Sequence, residues 1–399
     1  MRRLGTLTLT HSSRRTNLDR CSRAFLEERF GDPGRLRHPP PFAALPPARQ
    51  LYSGGLSFFR VVEADAGQIQ LHHLGGVRRR ERIQHAAFAG DRDLLVGFEH
   101  HLERWRLRRP LADLATLGAR DFLVAGRCEH PHLAGLHTVA PLPGGGAALA
   151  CSAPDAILFV DAGAEAVCRE LPLPSGAFAR AYELPPGMDL RRHYIPDELQ
   201  AAHLNAAFPD AAGRRLAVST FIQGAVGVVD LATGGYEELA RGLIGCHGAR
   251  FDDDGHVYFA DSTAGALVVL DGAGTGGREL AGAGGGDLAT VGGRAVSGGA
   301  NGRDVPAAGG PEAPTAAGRV RRRFAVDSLW LHDVQQLQGD LYAFALADRN
   351  ELRIYDVARG RLHCRRRFAT WPVEVGFALA RRWPGWLGNS VQSLAWRAS

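Results

Sequence analysis

The chain has 399 residues, of which 45% are apolar, and its net charge of +5 comes entirely from arginine because the sequence contains no lysine. The absence of lysine excludes Schiff-base catalysis and a P-loop phosphate site. The six cysteines lie far apart without a CxxC pair, which argues against a zinc ribbon and against a disulfide scaffold.

The N-terminus lacks the apolar core of a secretory signal, and no window reaches the apolar length of a membrane span. Arginine triplets at 78–80, 321–323 and 365–367 lie beside predicted strands or turns, and no nucleic-acid recognition motif accompanies them. We therefore expect a cytoplasmic protein that binds a small-molecule substrate and binds neither nucleic acid nor membrane.

The first 50 residues are predicted to be an extension of the domain that follows. Residues 18–30 have apolar side chains at helical spacing and stop at Gly31, which predicts a short helix. Prolines at 39–41 and 46–47 predict an extended linker. Residues 51–399 are then predicted to form one domain.

A unit of three short apolar runs recurs within residues 51–399. Each unit opens on a histidine, has a Gly/Asp turn after the first run and closes on an aspartate, which predicts a three-stranded meander. The distance from histidine to aspartate is 24 positions in three units and 27 in the fourth. The four histidine and aspartate pairs are His137 and Asp161, His203 and Asp230, His247 and Asp271, and His332 and Asp356.

The period of the units predicts a β-propeller. His203 and His247 are 44 positions apart, which fits a four-stranded blade. His85 opens a weaker copy, and two strands from Leu56 onward lack the histidine. We predict an all-β fold, a six-bladed β-propeller with a short N-terminal helical extension, closed by strands from both ends of the chain. Seven blades are the alternative.

Two stretches interrupt the units. Residues 172–200 are longer than a blade connection needs and are predicted to form a lid-like insertion on the face where the inner strands begin. Residues 272–318 are rich in Gly and Ala with almost no large apolar side chain, which predicts a disordered loop.

The repeated histidines indicate a site at the propeller axis. The innermost strand of each blade lines the central channel, so residues that start these strands converge at one end. Neutral imidazoles suit a borderline transition metal such as Fe(II) or Zn. We predict that a divalent transition metal is bound there by His137, His203, His247 and His332, with His85 as a reserve ligand. In the alternative interpretation these histidines are structural.

The register of His247 differs from that of the other histidines. Counted from the apolar residue before the first turn, His247 lies four positions back, whereas His137, His203 and His332 lie five back. Because side chains alternate across a strand, either a bulge or a shorter turn corrects this register, or His247 points elsewhere.

Several polar residues near the repeated histidines need separate assignments. Asn205 and Asp333 adjoin the ring and are predicted to be catalytic, by hydrogen bonding a ligand or orienting an imidazole. The alternative for both is strand-end hydrogen bonding. Three further histidine pairs are interpreted as surface residues: His72 and His73, His100 and His101, and His130 and His132.

The strings HLNAAFPDAAGRRLAVS and GARFDDDGHVYFADSTAGALVVLD resemble blades of the six-bladed propeller superfamily that includes gluconolactonases, strictosidine-synthase-like proteins and NHL repeats. HLN and CHGAR also resemble an uncharacterised bacterial propeller family with histidine-led blades. The lactonase resemblance implies an axial divalent cation bound by Glu, Asn and Asp. Only Asn205 matches such a ligand, and His247 stands where an Asp is expected.

Three functions remain open at this point. The first is an enzyme acting on a small molecule at the histidine-bound metal, by activated water or by iron-dependent oxygen chemistry. The second is a metal-free enzyme or ligand-binding protein that uses the same channel mouth. The third is a non-catalytic interaction scaffold. A lid at residues 172–200 favours the first two.

Overall fold

The computed structural model describes residues 1–14, 52–79, 81–174, 184–193, 201–243, 245–271, 319–368 and 390–399. The strands of these residues form six sheets arranged as the blades of a β-propeller, which confirms the predicted fold class. The helices of the described residues are single 3-10 turns, at Asp65–Gly67, Leu111–Asp113, Ala119–Asp121 and Leu190–Arg192. None of them has the length and apolarity needed to cross a membrane.

Blade 1 is built from both ends of the chain. Its innermost strand is β25 (Ser390–Ala398), followed outward by β1 (Arg2–Arg14), β2 (Tyr52–Glu63) and β3 (Ile69–Arg79). The two-residue strand β7 (Leu117–Gly118) pairs with β3 in parallel. The predicted closure of the ring by strands from both termini is therefore confirmed.

Blades 2 to 6 each run outward from the axis in chain order. Blade 2 contains β4 (Ile83–Phe88), β5 (Asp93–Phe98), β6 (Leu102–Leu107) and β8 (Phe122–Cys128). Blade 3 contains β9 (Leu136–Pro141), β10 (Ala147–Cys151), β11 (Ala156–Val160) and β12 (Val167–Pro172). Blade 4 contains β13 (Leu204–Pro209), β14 (Arg215–Thr220), β15 (Ala225–Asp230) and β16 (Tyr236–Ala240). Blade 5 contains β17 (Cys246–Phe251), β18 (Val257–Asp261), β19 (Ala266–Leu270) and β20 (Val320–Ala325). Blade 6 contains β21 (Leu331–Gln338), β22 (Leu341–Leu346), β23 (Glu351–Asp356) and β24 (Arg361–Arg367).

The predicted N-terminal extension is wrong for residues 2–14, because they form β1 between β25 and β2. The sequence of β1 alternates Leu and Thr, and both faces are buried because the strand lies inside a blade. Leu7 and Leu9 point to one face, and Thr8 points to the other. The predicted helix at 18–30, the proline-rich linker and the predicted loop at 272–318 lie outside the described residues.

The core lies between neighbouring blades. Middle strands such as β10 and β19 are apolar and buried on both faces, because each sheet packs against a sheet on either side. The arginine triplets follow a different pattern: Arg78 and Arg79 lie on β3, residues 321–323 on β20 and residues 365–367 on β24, each the fourth strand outward in its blade. Charged side chains on these edges discourage pairing with another chain.

In three of the units the closing aspartate caps the turn into the outer strand, as Asp356 does by accepting a hydrogen bond from the Arg359 N–H. The Asp161 carboxylate accepts hydrogen bonds from the Glu165 and Ala166 N–H groups, and Asp230 accepts from the Ala232 and Thr233 N–H groups. These short-range bonds explain why the same residue type recurs at the end of the third strand.

The insertion at 172–200 begins and ends on the predicted face, because β12 ends and β13 begins at the end where the inner strands start. Of this insertion, the structure describes residues 172–174 and 184–193. Leu190 is buried against Ala134 and Ala153. Where the chain enters blade 4, Asp155 of blade 3 holds it in place. The Asp155 carboxylate accepts hydrogen bonds from the N–H groups of Ala201, Ala202 and Leu204.

Candidate functional site at the propeller axis

The inner strands start at one end of the axis, which we call the histidine end after His137, His203, His247 and His332. In blades 2 to 6 the inner strand starts with an apolar residue that pairs with the end of its neighbour, as Leu136 pairs with Cys151 and Leu331 pairs with Leu346; in blade 1, β25 starts one residue earlier, at Ser390, and Val391 pairs with His11. A polar residue follows at the equivalent position in every blade. In blade order these residues are Gln392, Gln84, His137, Asn205, His247 and His332.

A register shift accompanies this polar position. In β4, β9, β13 and β21 the ladder skips the polar residue, so a bulge turns its side chain relative to its neighbours. In β17 the shift follows His247 and includes Gly248, which has φ 65°. A side chain at Gly248 would lie 2.3 Å from the Asp333 carboxylate, so the position requires glycine. The bulge predicted for the His247 strand is therefore confirmed.

His203 and His85 do not occupy the equivalent position. His203 precedes it by two residues, outside β13 and at φ 55°, and His85 follows it by one. Because neighbouring residues of a strand point to opposite faces, the one-residue offset turns the His85 ring away from the equivalent position, whereas the left-handed backbone of His203 sets the direction of its ring. The sequence analysis aligned the blades on their histidines and so overlooked Gln84 and Gln392. An apolar residue followed by His, Asn or Gln is the signal that would have found them.

The four histidines of this end come together as two pairs. The ring centroids of His137 and His203 are 4.8 Å apart, as are those of His247 and His332. Phe221 lies between the pairs, 5.4 Å from His203 and 5.5 Å from His247. In the described part of the chain, no three of these imidazoles bring nitrogens within 4.8 Å of one another. The histidines were predicted to converge on one point; among the described residues their rings meet only in two pairs.

Hydrogen bonds determine which nitrogen of His247 is available to a ligand. Its Nδ1 lies 2.9 Å from the Gly245 carbonyl oxygen and 2.8 Å from the Ser262 Oγ. A carbonyl only accepts, so Nδ1 carries the hydrogen and the Nε2 lone pair is unprotonated in the neutral ring. The Nδ1 of His332 is buried and has no hydrogen-bond partner among the described residues. Both rings therefore fit a metal ion or a hydrogen-bonding ligand.

Three imidazoles of this end, those of His137, His247 and His332, are neutral at pH 7. Burial lowers the pKa of His247 to about 3, and the neighbouring His332 adds to the effect. Burial and then the Arg82 charge lower the pKa of His332 to about 4. The pKa of His137 lies well below its usual value because of burial and then the neighbouring His203. Neutral rings keep the lone pairs that a metal ion requires.

Arg82 is a functional candidate that the sequence analysis missed. It precedes the first residue of β4, and its guanidinium donates to the Gln392 side chain at 3.1 Å. Its charge contributes to the lowered pKa of both His137 and His332. The histidine end therefore contains a cation beside neutral imidazoles.

His85, the predicted reserve ligand, lies among interior groups. It is fully buried, and its ring centroid is 5.6 Å from that of Phe208. Its ring nitrogens lie close to the backbone of Leu394 and Val139, which opposes the lowering of its pKa, but neither nitrogen forms a well-aligned hydrogen bond within the described residues. Burial, and then the Arg250 charge, lower its pKa to about 4, and Asp333 opposes this shift.

The two predicted catalytic residues have partners in the interior. The Asp333 carboxylate receives two hydrogen bonds from the buried Arg250 guanidinium, at 2.6 and 3.0 Å, and a third from the Leu394 N–H. The Asn205 amide donates to the Cys246 carbonyl at 2.7 Å and accepts from the Ser219 hydroxyl at 2.6 Å. These contacts favour a structural role for Asn205 and Asp333, and their catalytic role stays a prediction.

Two further groups outside the axis could hold a metal: His130, His132 and Glu170, and Asp252, Asp254 and His256. The second group is the hairpin turn before β18, where the Asp252 carboxylate already accepts from the Asp254 and His256 N–H groups.

Of the predicted surface histidines, His101 is buried and stacks on Phe98 with ring centroids 4.4 Å apart.

A groove of about 480 Å³ lies at the opposite end of the propeller, between blades 2 and 3. Turn residues such as Phe88 and Pro141 line it, and no histidine does. The groove is therefore separate from the histidine end, where the titratable and aromatic groups converge.

No family model matches the chain, and no curated protein matches it. Among solved structures, the nidogen/laminin complex matches with a TM-score of 0.52 at 9% identity over 98% of each chain. The periplasmic gluconolactonase of Pseudomonas aeruginosa matches with a TM-score of 0.42 at 13% identity, over 98% of this chain and 99% of that one. Virginiamycin B lyase from Staphylococcus aureus gives 0.41 at 10% identity, over 84% and 85%. By these comparisons the chain is similar to β-propellers in fold, and they assign it to no particular family.

Proposed function

We propose that the protein is an enzyme that acts on a small molecule at the histidine end, with a divalent transition metal, Zn or Fe(II), as its cofactor. The observation that carries the proposal is the pairing of imidazoles on the axis, with ring centroids 4.8 Å apart in each pair. Nitrogen ligands favour a transition metal over calcium.

The residues of blades 5 and 6 supply the first ligand pair. The hydrogen bond from His247 Nδ1 to the Gly245 carbonyl fixes the tautomer and holds the ring, as is usual for metal-binding histidines. His332 lies beside it with a buried Nδ1 that has no hydrogen-bond partner among the described residues. A metal bound there would activate water or polarise a substrate oxygen. His137 and His203 form the second pair and would supply the remaining ligands of such a metal.

The surroundings of the pairs suggest the substrate class. Phe221 and Trp330 present ring faces beside His247, with centroids 5.5 and 5.8 Å from it. Arg82 supplies a positive charge close to His137 and His332. Below them, Arg250 and Asp333 are buried on the axis and paired. A small molecule with an apolar part and an anionic or oxygen-rich part fits this arrangement, entering from the histidine end.

A metal-free ligand-binding protein is the second candidate. It is favoured by the separation of the nitrogens, since no three of these imidazoles bring them within 4.8 Å in the described residues. In that case the imidazoles and Arg82 would hydrogen-bond the ligand directly.

Elemental analysis of protein purified without an affinity tag tests the metal. The test uses the Glu170→Gln variant, which removes the carboxylate of the His130, His132 and Glu170 group outside the axis. We expect this variant to retain about one equivalent of Zn or Fe, and to lose that metal when His247→Ala and His332→Ala are added. His72→Ala, at an exposed histidine of β3, is the matched control. Equal metal content with and without the axial pair, in folded protein, would refute metal binding at the histidine end and leave the metal-free candidate.

A further inference from the structure

A second set of metal-ligand side chains lies away from the axis. His130 and His132 belong to the connection between β8 and β9, and Glu170 lies in β12. His132 Nδ1 is 3.0 Å from Glu170 Oε2, and His130 Nδ1 is 3.4 Å from Glu170 Oε1. The three side chains are 31 to 34% exposed, so solvent ions reach them. Two elements that are distant in sequence thus place two imidazoles around one carboxylate.

The surrounding chain holds this arrangement in place. The carbonyl of Pro131, between the two histidines, accepts a hydrogen bond from the Leu190 N–H at 2.9 Å. The Arg191 guanidinium forms ion pairs with Glu129 at 3.1 Å and with Asp189 at 2.9 Å. Glu170 is fixed by the ladder between β11 and β12. Preorganisation of this kind reduces the entropy that ion binding would otherwise cost.

The hydrogen bonding of His130 is incomplete without a further partner. Its Nδ1 lies 3.3 Å from the His132 N–H and 3.4 Å from Glu170 Oε1. Accepting from the N–H requires a lone pair, whereas donating to the carboxylate requires a proton, and one ring nitrogen does not provide both. With the lone pair turned toward Glu170 instead, a cation between the ring and the carboxylate would satisfy both groups, and the long contact to the His132 N–H would be given up.

We propose that His130, His132 and Glu170 bind one Zn²⁺ ion, which joins the connection between β8 and β9 to blade 3 at the base of the 172–200 insertion. In a tetrahedral zinc site with bonds of about 2.0–2.2 Å, ligand atoms lie about 3.4 Å apart, close to the observed 3.0 and 3.4 Å. Three protein ligands leave the fourth position to water. The proposal does not depend on the axial site.

Zinc titration of chelator-treated, tag-free protein carrying His247→Ala and His332→Ala tests the inference, because that background removes the axial pair. We expect about one equivalent of Zn²⁺, with affinity reduced more than about 100-fold by Glu170→Gln or His132→Ala. Glu165→Gln, at an exposed glutamate of the same blade, should leave affinity unchanged. Zn²⁺ at 100 times its Kd should raise Tm by about 3 °C except in Glu170→Gln.

Replacing zinc with Co²⁺ gives a geometric check, since a tetrahedral site absorbs visible light far more strongly, and at longer wavelength, than an octahedral aquo ion. If His132→Ala does not fold, the nearly isosteric Glu170→Gln decides the question. Unchanged stoichiometry and affinity in Glu170→Gln, or no binding by the background protein, would overturn the proposal. Neither result bears on the axial metal, which is measured in the Glu170→Gln protein with and without its axial histidines.

Discussion

The histidine end and the interior directly below it differ in how their polar groups are satisfied. In the interior, Arg250 and Asp333 are both about 5% exposed and meet in a two-point ion pair. At the histidine end, neutral imidazoles contact one another, and the buried Nδ1 of His332 has no hydrogen-bond partner among the described residues. Saturated groups hold a structure together, whereas unused lone pairs on buried rings are available to a ligand.

The interior network also explains how the ring is closed. Arg250, on blade 5, donates to Asp333 and the Val334 carbonyl on blade 6 and to the Leu394 carbonyl on the C-terminal strand of blade 1. Its guanidinium lies 4.0 Å from the centroid of the Phe208 ring on blade 4. One side chain therefore connects four of the six blades, including the blade that contains both ends of the chain.

The largest effect is expected from Arg250→Met, which leaves the Asp333 carboxylate buried without its partner. Urea unfolding should show a loss of about 3–5 kcal/mol. The double variant Arg250→Met/Asp333→Leu should recover part of this loss, because no charge is then left buried. Arg359→Met, at an exposed surface pair, is the control and should change little. A small loss in Arg250→Met would mean that the interior network does not hold the ring closed.

Asn205→Leu should destabilise the protein by about 2–3 kcal/mol, because it leaves the Cys246 carbonyl and the Ser219 hydroxyl without their buried partner. Ser219→Ala removes only one of these bonds and should cost less. Thermal or urea unfolding measures both. If Asn205→Leu keeps full stability but loses ligand binding, Asn205 belongs functionally with the histidine end.

Acid should destabilise the metal-free protein through its buried histidines. The folded pKa is about 3 for His247 and about 4 for His85, both below the unfolded value near 6.5. Between these values only the unfolded chain binds the proton, so stability is complete above pH 6.5 and falls as pH decreases. Each ring should account for about 2 kcal/mol at pH 5. Unfolding free energies measured from pH 7.5 to 5 give the slope, and a flat profile would show that the rings are accessible to protons.

The smallest effect at pH 7 is expected from His85→Leu, within about 1 kcal/mol of the parent, because the buried ring nitrogens have no hydrogen-bond partner among the described residues. The variant should also lose less stability on acidification, since one titrating group is gone. Parallel unfolding curves at pH 7 and pH 5 measure both. A loss above about 2 kcal/mol at pH 7 would show that the ring makes interactions essential to the interior.

Sequence periodicity was sufficient to predict the blades. Three apolar runs, a Gly/Asp turn and a closing Asp are local features, and the Asp161 and Asp230 turns show the short-range bonds behind them. The strand at residues 2–14 was missed because it belongs to none of the repeated units, and its histidine, His11, opens no such unit. Its alternation of Leu and Thr was nevertheless a strand pattern.

The candidate site was predicted less completely. The sequence identified one end of the axis and the repeated histidines, but it did not indicate that they pair, that Gln84 and Gln392 are equivalent to His137, or that Arg82 lies beside them. A one-residue bulge decides each of these points, and its position depends on the neighbouring strand as much as on the strand itself.

The sequence by itself determined that the fold is a ring of repeated blades and in which order they follow, because alternation and turns act over a few residues, and it left seven blades as an alternative to six. The tertiary structure alone decided the pairing of Arg250 with Asp333, 83 residues apart, and of His132 with Glu170, 38 apart. Contacts at such separations form only after the ring closes, and no local pattern encodes which side chains then meet. The interior and the histidine end differ in whether their buried polar groups are fully hydrogen-bonded. That difference is therefore a property of the closed propeller.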